Sequence, residues 1–213
     1  DDLIEATTTV LQREGHTLAT YKLESGSLGY LPLRQFLVDK LKRHGGIECT
    51  EDEILLTSGS LQGMDLINQI LLQPGDTVII EAANYGGVLT RLAAKGVTPV
   101  GVAGDEDGMD MDALERTLDE LASAGNKPRY IYTIPTVQNP TATIMSRARR
   151  VRMVELAKAH GIPIFEDECY SDLIWDGQRP PAVYALDDSS RTIFLGTFSK
   201  SIAPALRVGY VVA

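Results

Sequence analysis

A lysine between two serines, Ser199-Lys200-Ser201, follows the apolar run Thr192 to Phe198, and Arg207 comes seven residues after it. A lysine whose pKa is lowered and which is placed against a carbonyl carbon condenses to an imine. On that basis Lys200 is read as the nucleophile toward an aldehyde cofactor. A second apolar run ends in acid and tyrosine, Phe165-Glu166-Asp167-Glu168-Cys169-Tyr170. A buried carboxylate is costly unless paired. Facing a pyridine nitrogen, Asp167 would keep that nitrogen protonated and make the ring an electron sink. Tyr170 and Asn139 could donate to a phenolate oxygen, and Tyr85 could stack on a ring. Arg207 offers a planar fork to a phosphate, and Thr197 a hydroxyl. Ser58-Gly59-Ser60 joins a strand to a helix, whose free N–H groups also suit a phosphate.

Each of these residues has an ordinary reading too. Lys200 could be a surface lysine, Arg207 a salt-bridged one, Ser58 or Ser60 a plain N-cap, Asp167 a loop cap, and Asn139-Pro140 a turn starter. What sets them apart is where the surrounding elements place them. Residues 1–30 read as a short helix and an irregular arm. Gly29-Tyr-Leu-Pro opens a helix to about His44, with Leu33, Phe36, Leu37 and Leu41 at helical spacing and Gly45-Gly46 as the stop. Strands are then expected at Glu53–Thr57, Thr77–Glu81, Thr98–Ala103, Arg129–Ile134, Pro163–Asp167, Thr192–Phe198 and Arg207–Val212. Helices fall between them at Ser60–Leu72, Tyr85–Lys95, Asp110–Ala124 and Ser146–His160, most of them ended by glycine or Pro-Gly.

Seven strands separated mainly by helices predict an open α/β sheet, mostly parallel, with helices on both faces. The connection Ser199 to Leu206 is too short for a parallel crossover, so the last strand is expected to run antiparallel. Ligands of such a sheet sit beyond the carboxyl ends of its strands. Ser58 to Ser60, Asn84-Tyr85, Asn139, Asp167, Tyr170 and Thr197 to Lys200 all lie at those ends.

The 213 residues carry a net charge of −9 without a basic stripe, which argues against nucleic-acid binding through this domain. The one basic cluster, Arg147 to Arg152, lies on a predicted helix and reads as a solvated face. No apolar run reaches the roughly 18 residues of a membrane span. Two cysteines suggest a reducing compartment, taken as the cytoplasm, and the three histidines lack metal-ligand spacing.

In this order, Thr57-Ser58-Gly59-Ser60, Gln138-Asn139-Pro140-Thr141, Asp167-Glu168-Cys169-Tyr170 and Ser199-Lys200 with Arg207 resemble the fold-type-I pyridoxal-phosphate enzymes of the class I/II aminotransferase family. The branch they look closest to contains kynurenine, aminoadipate and aromatic aminotransferases and the aminotransferase-like domain of MocR-type regulators. The resemblance runs from about Gly29 to Ala213. It implies pyridoxal 5′-phosphate as cofactor, with Lys200, Asp167 and Tyr170 as catalytic residues. It assigns Ser60, the backbone of Leu61, Thr197 and Arg207 to the phosphate, Asn139 and Tyr170 to the ring oxygen, and Tyr85 to stacking on the ring.

The same resemblance implies amino-acid and 2-oxo-acid substrates, a homodimer, and residues 31–213 as the cofactor-binding large domain behind an arm at 1–30. A small domain with the substrate-carboxylate arginine would follow Ala213. Tyr21 is the candidate for reaching the partner subunit's phosphate, at a longer spacing than the family's. Three positions depart from the pattern: Ala142 stands where glycine is usual, Leu61 where glutamine is common, and Ala83 where proline is common. A regulator's effector domain and a lyase or decarboxylase are the alternatives that the same residues allow.

Overall fold

The computed structural model describes residues 2–19, 26–175, 177 and 179–213. Helix α1 (Asp2–Glu14) buries none of its residues and runs into a 3₁₀ turn. Helix α2 (Leu31–Gly45) carries proline in its first turn, where a missing N–H costs nothing, and stops at Gly46 in the left-handed conformation. The alternating part follows as β1 (Ile54–Thr57), α3 (Ser60–Leu71), β2 (Thr77–Glu81), α4 (Gly86–Ala94) and β3 (Thr98–Val102). A two-residue pair, β4 (Gly104–Asp105) and β5 (Gly108–Met109), leads to α5 (Met111–Ser123). The Asp110 carboxylate caps α5 by accepting from the N–H groups of Asp112 (2.8 Å) and Ala113 (3.2 Å). Then come β6 (Ile131–Thr133), α6 (Arg147–His160), β7 (Ile164–Glu168), a short α7 (Val183–Leu186), β8 (Thr192–Thr197) and β9 (Gly209–Val212).

Seven strands form one sheet in the order β1-β9-β8-β7-β6-β2-β3. Strand β9 is antiparallel to both neighbours, and every other pair is parallel. The expected fold class and the reversed last strand are thus what the chain adopts. The cause is the β8–β9 connection, which holds only a 3₁₀ turn at Pro204–Leu206 and has no helix to carry the chain back across the sheet.

Successive residues of each strand serve opposite faces. In β2, Ile79 packs toward α5 and α6, while Val78 and Ile80 pack toward α3 and α4. In β8, Leu195 joins the α3/α4 face, and Phe194 packs with Leu37 and Leu41 of α2. Full burial of such side chains contributes about 1.5–3 kcal/mol each. Helices therefore cover both faces. Among the described residues no helix is long and apolar enough to cross a membrane.

Two readings of the chain need correction. The β4–β5 pair and the four-residue α7 were not expected, because elements of two to four residues carry no periodicity. The basic cluster on α6 is not simply a solvated face: Arg150 is 0% exposed. Its guanidinium donates to the carbonyls of Met145 (2.9 Å), Pro135 (2.7 Å) and Pro181 (3.3 Å) and to the Thr136 hydroxyl (2.9 Å). The carboxylates of Glu168 and Glu166 lie 3.6 and 3.9 Å away. Arg149, one residue earlier, binds both oxygens of the partly exposed Asp105 (2.6 and 2.7 Å).

Removing one member of a buried charge cluster leaves the rest uncompensated, at a cost of about 3–5 kcal/mol. Arg150→Ala is expected to lose that much in urea unfolding, and a loss below about 1 kcal/mol would contradict the role given to this arginine. The same cluster sets a pH dependence. Burial, with repulsion from Glu168, pushes Glu166 up to about 7, and burial also raises Glu81 and Asp167. A carboxyl with a raised folded pKa binds more protons folded than unfolded. Its contribution is complete below about pH 4.5 and is lost as pH rises through about 7. The melting temperature should therefore fall between pH 5 and pH 8, and Glu166→Gln should flatten that fall. An unchanged slope in the variant would exclude Glu166 as its source.

Candidate active site

Strand β7 delivers three acids to its carboxyl end, and the pleat divides them. Glu166 and Glu168 go to the α6 face with Arg150. Asp167, like Phe165, goes to the α3/α4 face and borders a cleft at the carboxyl ends of the central strands. Asp167 is 2% exposed. Its Oδ2 accepts from the Tyr132 hydroxyl (2.7 Å) and its Oδ1 from the Cys169 thiol (2.9 Å). Burial raises its pKa, and these two bonds work against the rise. Among the described residues no cation pairs with it.

Lys200 stands on the turn after β8, closed by the Ile202 N–H on the Phe198 carbonyl (2.9 Å). Its side chain enters the cleft, with Nζ 5.6 Å from the centre of the Tyr170 ring. No carboxylate pairs with it among the described residues. The Tyr170 hydroxyl lies 3.4 Å from Asn139 Nδ2. Tyr85, partly exposed just before α4, faces the same space.

The remaining wall is the start of α3. Gly59 precedes it at φ +81°, and the first amides of the helix, those of Ser60 and Leu61, have no intrahelical acceptor. The Ser58 N–H is taken by the Gln62 side chain (2.5 Å), and among the described residues the Ser60 and Leu61 amides have no acceptor. Arg207 lies against this turn, itself at φ +53°, with Nη2 3.4 Å from the Ser58 carbonyl. A Cβ at position 59 would meet that movable guanidinium, and the positive φ there itself favours glycine. Arg207 is exposed and has no carboxylate partner among the described residues. The Thr197 hydroxyl accepts from the Ser199 N–H (3.1 Å) and donates to the Val208 carbonyl (3.2 Å).

Ser60, Leu61, Tyr85, Asn139, Asp167, Tyr170, Thr197, Lys200 and Arg207 therefore all border one cleft. Ser199, placed at a strand end but given no role, also lines it, and so do Cys169, Ile134 and Pro204, which were not anticipated. Ser199 and Cys169 lie within the quoted motifs, whereas Ile134 and Pro204 are brought in by the fold alone. Tyr21 lies outside the described residues. Ala142 adopts φ +60°, a conformation that favours the glycine usual there. A larger hollow of about 450 Å³, between the end of β2 and the β4–β5 pair, holds no lysine or arginine.

The family described as "Aminotransferase class I and II" matches residues 3–213. Aromatic-amino-acid aminotransferase 1 of Thermococcus litoralis is 37% identical over 210 residues, 98% of this chain and 49% of that protein. An uncharacterised HTH-type transcriptional regulator of Escherichia coli, YjiR, is 34% identical over 95% of this chain and 41% of its own length. Among solved structures, the kynurenine aminotransferase of Pyrococcus horikoshii, determined in complex with PMP, superposes with a TM-score of 0.90 at 34% identity. It is covered to 50% of its length by 98% of this chain. The chain thus spans about half the length of the curated relatives it matches. With the family matched from residue 3 to residue 213, the chain belongs to the class I and II aminotransferases.

Proposed function

We propose that this chain is the cofactor-binding part of a pyridoxal-5′-phosphate-dependent aminotransferase, exchanging an amino group between an amino acid and a 2-oxo acid. One observation carries the reading: a lysine, a buried carboxylate, and a helix start backed by an arginine, none of the three side chains ion-paired among the described residues, face the same cleft from three separate elements. The residues fit the cofactor's three chemical ends. A phosphate dianion supplies the anion that Arg207 and the Ser60 and Leu61 amides lack. A protonated pyridine nitrogen supplies the positive partner that Asp167 lacks. An aldehyde supplies the carbon that the Lys200 amine would meet.

In this reading Thr197 adds a hydroxyl to the phosphate site. Asn139 Nδ2 and the Tyr170 hydroxyl donate to the ring oxygen, and Tyr85 covers a ring face. When bound, the cofactor contributes a carbon that condenses with amines and a ring that accepts electron density. The chain's own work is narrower. Asp167 holds a proton at the ring nitrogen. Lys200 Nζ takes the proton from the substrate's Cα and returns it on the other side of the exchange. The low exposure of Asp167 keeps water from competing for its charge.

Residues 31–213 are read as the cofactor-binding unit and 1–30 as an arm, since α1 buries nothing while α2 contributes Leu37 and Leu41 to the core. A homodimer is supported by the exposed Tyr30, Phe36, Ile202 and Leu206, each at least half accessible. Two free thiols support a reducing compartment such as the cytoplasm. A second reading, an effector-sensing domain of a transcription regulator, is favoured by the likeness to the regulator named above.

A visible absorption spectrum with pyridoxal phosphate, before and after a panel of amino acids, separates the two. Conversion by one donor and reversal by a 2-oxo acid establish the aminotransferase. A band that forms and never converts favours the sensor. Lys200→Ala is expected to lower turnover by about 10⁴-fold or more, and full activity in that variant would sink the assignment.

A further inference from the structure

We propose that Tyr132 and Cys169 are positioning residues for Asp167, gripping one oxygen each of its carboxylate so that it stays ionised and aimed into the cleft. The inference rests on the reading of Asp167 as the partner of a ring nitrogen. Tyr132 is fully buried on β6, directly beside Phe165 of β7 in the strand register. Its ring meets Phe165 edge-on at 5.4 Å, which fixes where the hydroxyl points. That hydroxyl donates to Asp167 Oδ2 and has no other partner among the described residues. Cys169, two residues beyond Asp167, donates its thiol to the other oxygen, Oδ1. The carboxylate therefore has both oxygens engaged by groups that carry no charge.

The arrangement has a consequence for protonation. Burial favours the neutral acid, and the two donors favour the anion. A neutral acid could not hold a proton at a ring nitrogen. Glu168 behind the strand and Glu81 on β2 add repulsion around this group, and Lys200 acts on the thiol from across the cleft. Tyr132 and Cys169 thus offset a local field that is otherwise against charge on Asp167.

The test reads Asp167 itself in the cofactor-free chain, by ¹³C NMR of its carboxyl carbon across a pH titration, assigned against Asp167→Asn. Tyr132→Phe and Cys169→Ala should each raise its proton affinity by about tenfold, one pH unit in the midpoint. Cys169→Ser keeps a donor and should stay near wild type; a mere packing role for the thiol predicts no difference between the alanine and serine variants. Midpoints unmoved in both Tyr132→Phe and Cys169→Ala would overturn the proposal. Should Tyr132→Phe fail to fold, the alanine and serine pair at 169 decides alone. After pyridoxal phosphate is added, the pH dependence of its visible band should move in the same two variants and not in Cys169→Ser. A wild-type chain that titrates as expected yet takes up no pyridoxal phosphate would overturn the functional reading and leave the grip standing. A chain that binds it with Asp167 indifferent to both neighbours would do the reverse.

Discussion

Three consecutive carboxyl groups sit at the end of a strand that is buried along its whole length, and the rest of the structure answers to that constraint. Two are directed to one face and one to the other, so the protein must satisfy negative charge on both sides of its sheet. On the α6 face it does so densely. Glu166 accepts from the Val183 and Tyr184 N–H groups (both 2.8 Å), Glu168 accepts from the Thr136 hydroxyl (2.6 Å), and Arg150 lies between them. Arg150 also holds the carbonyls of Pro135 and Pro181. The segment that leads from β6 to Asn139 and the segment after Tyr170 are thereby tied to the same buried charge. The cleft's far wall depends on a cluster it never touches.

A second constraint governs the corner where the start of α3 meets Arg207. Gly59 and Arg207 both take positive φ, and the chain brings them together from opposite ends of the sequence. Gly209, the first residue of β9, also packs so closely on the start of α3 that a Cβ there would meet Ser60 N at 2.6 Å. Strained conformations of this kind persist where the surrounding structure over-determines them. Here the sheet does so: β9 is paired on both sides, with Thr57 and Thr197 both opposite Gly209. The reversed last strand is what carries Arg207 back to the helix that began after β1. Topology and site are one arrangement at this point.

Much of this was legible in the sequence, for physical reasons. Short apolar runs alternating with amphipathic stretches dictate an α/β sheet, and the carboxyl ends of its strands then gather Ser60, Asn139, Asp167 and Lys200 without further information. Arg150 was not legible. Four arginines within six residues resemble a wet helix face, and which one turns inward is decided by Glu166 and Glu168, on a strand that follows the helix. Tyr132 was hidden for a similar reason. Its period places it on a face of β6, but only the register with β7 puts its hydroxyl on Asp167. Pairing between strands is a long-range fact that local spacing does not encode. Ala142 shows the converse, a position where the backbone demand was expected from the motif and the residue departs from it.

The two faces of β7 also explain why their partners differ in kind. Arginines answer Glu166 and Glu168, Arg150 facing both and Arg179 facing Glu168 at 3.8 Å, which suits groups whose task is to hold loops together. On the proposed reading the same solution in front would be self-defeating, because a permanent cation on Asp167 would occupy the charge meant for a ring nitrogen. Neutral donors avoid that. A phenol and a thiol steady the carboxylate, oppose the protonation that burial favours, and leave its negative charge available to whatever cation enters the cleft. The cost is that Asp167 is poised, with burial pulling one way and two hydrogen bonds the other. Asp167 thus faces the cleft with no cation against it among the described residues, which is what the proposed reading requires of it.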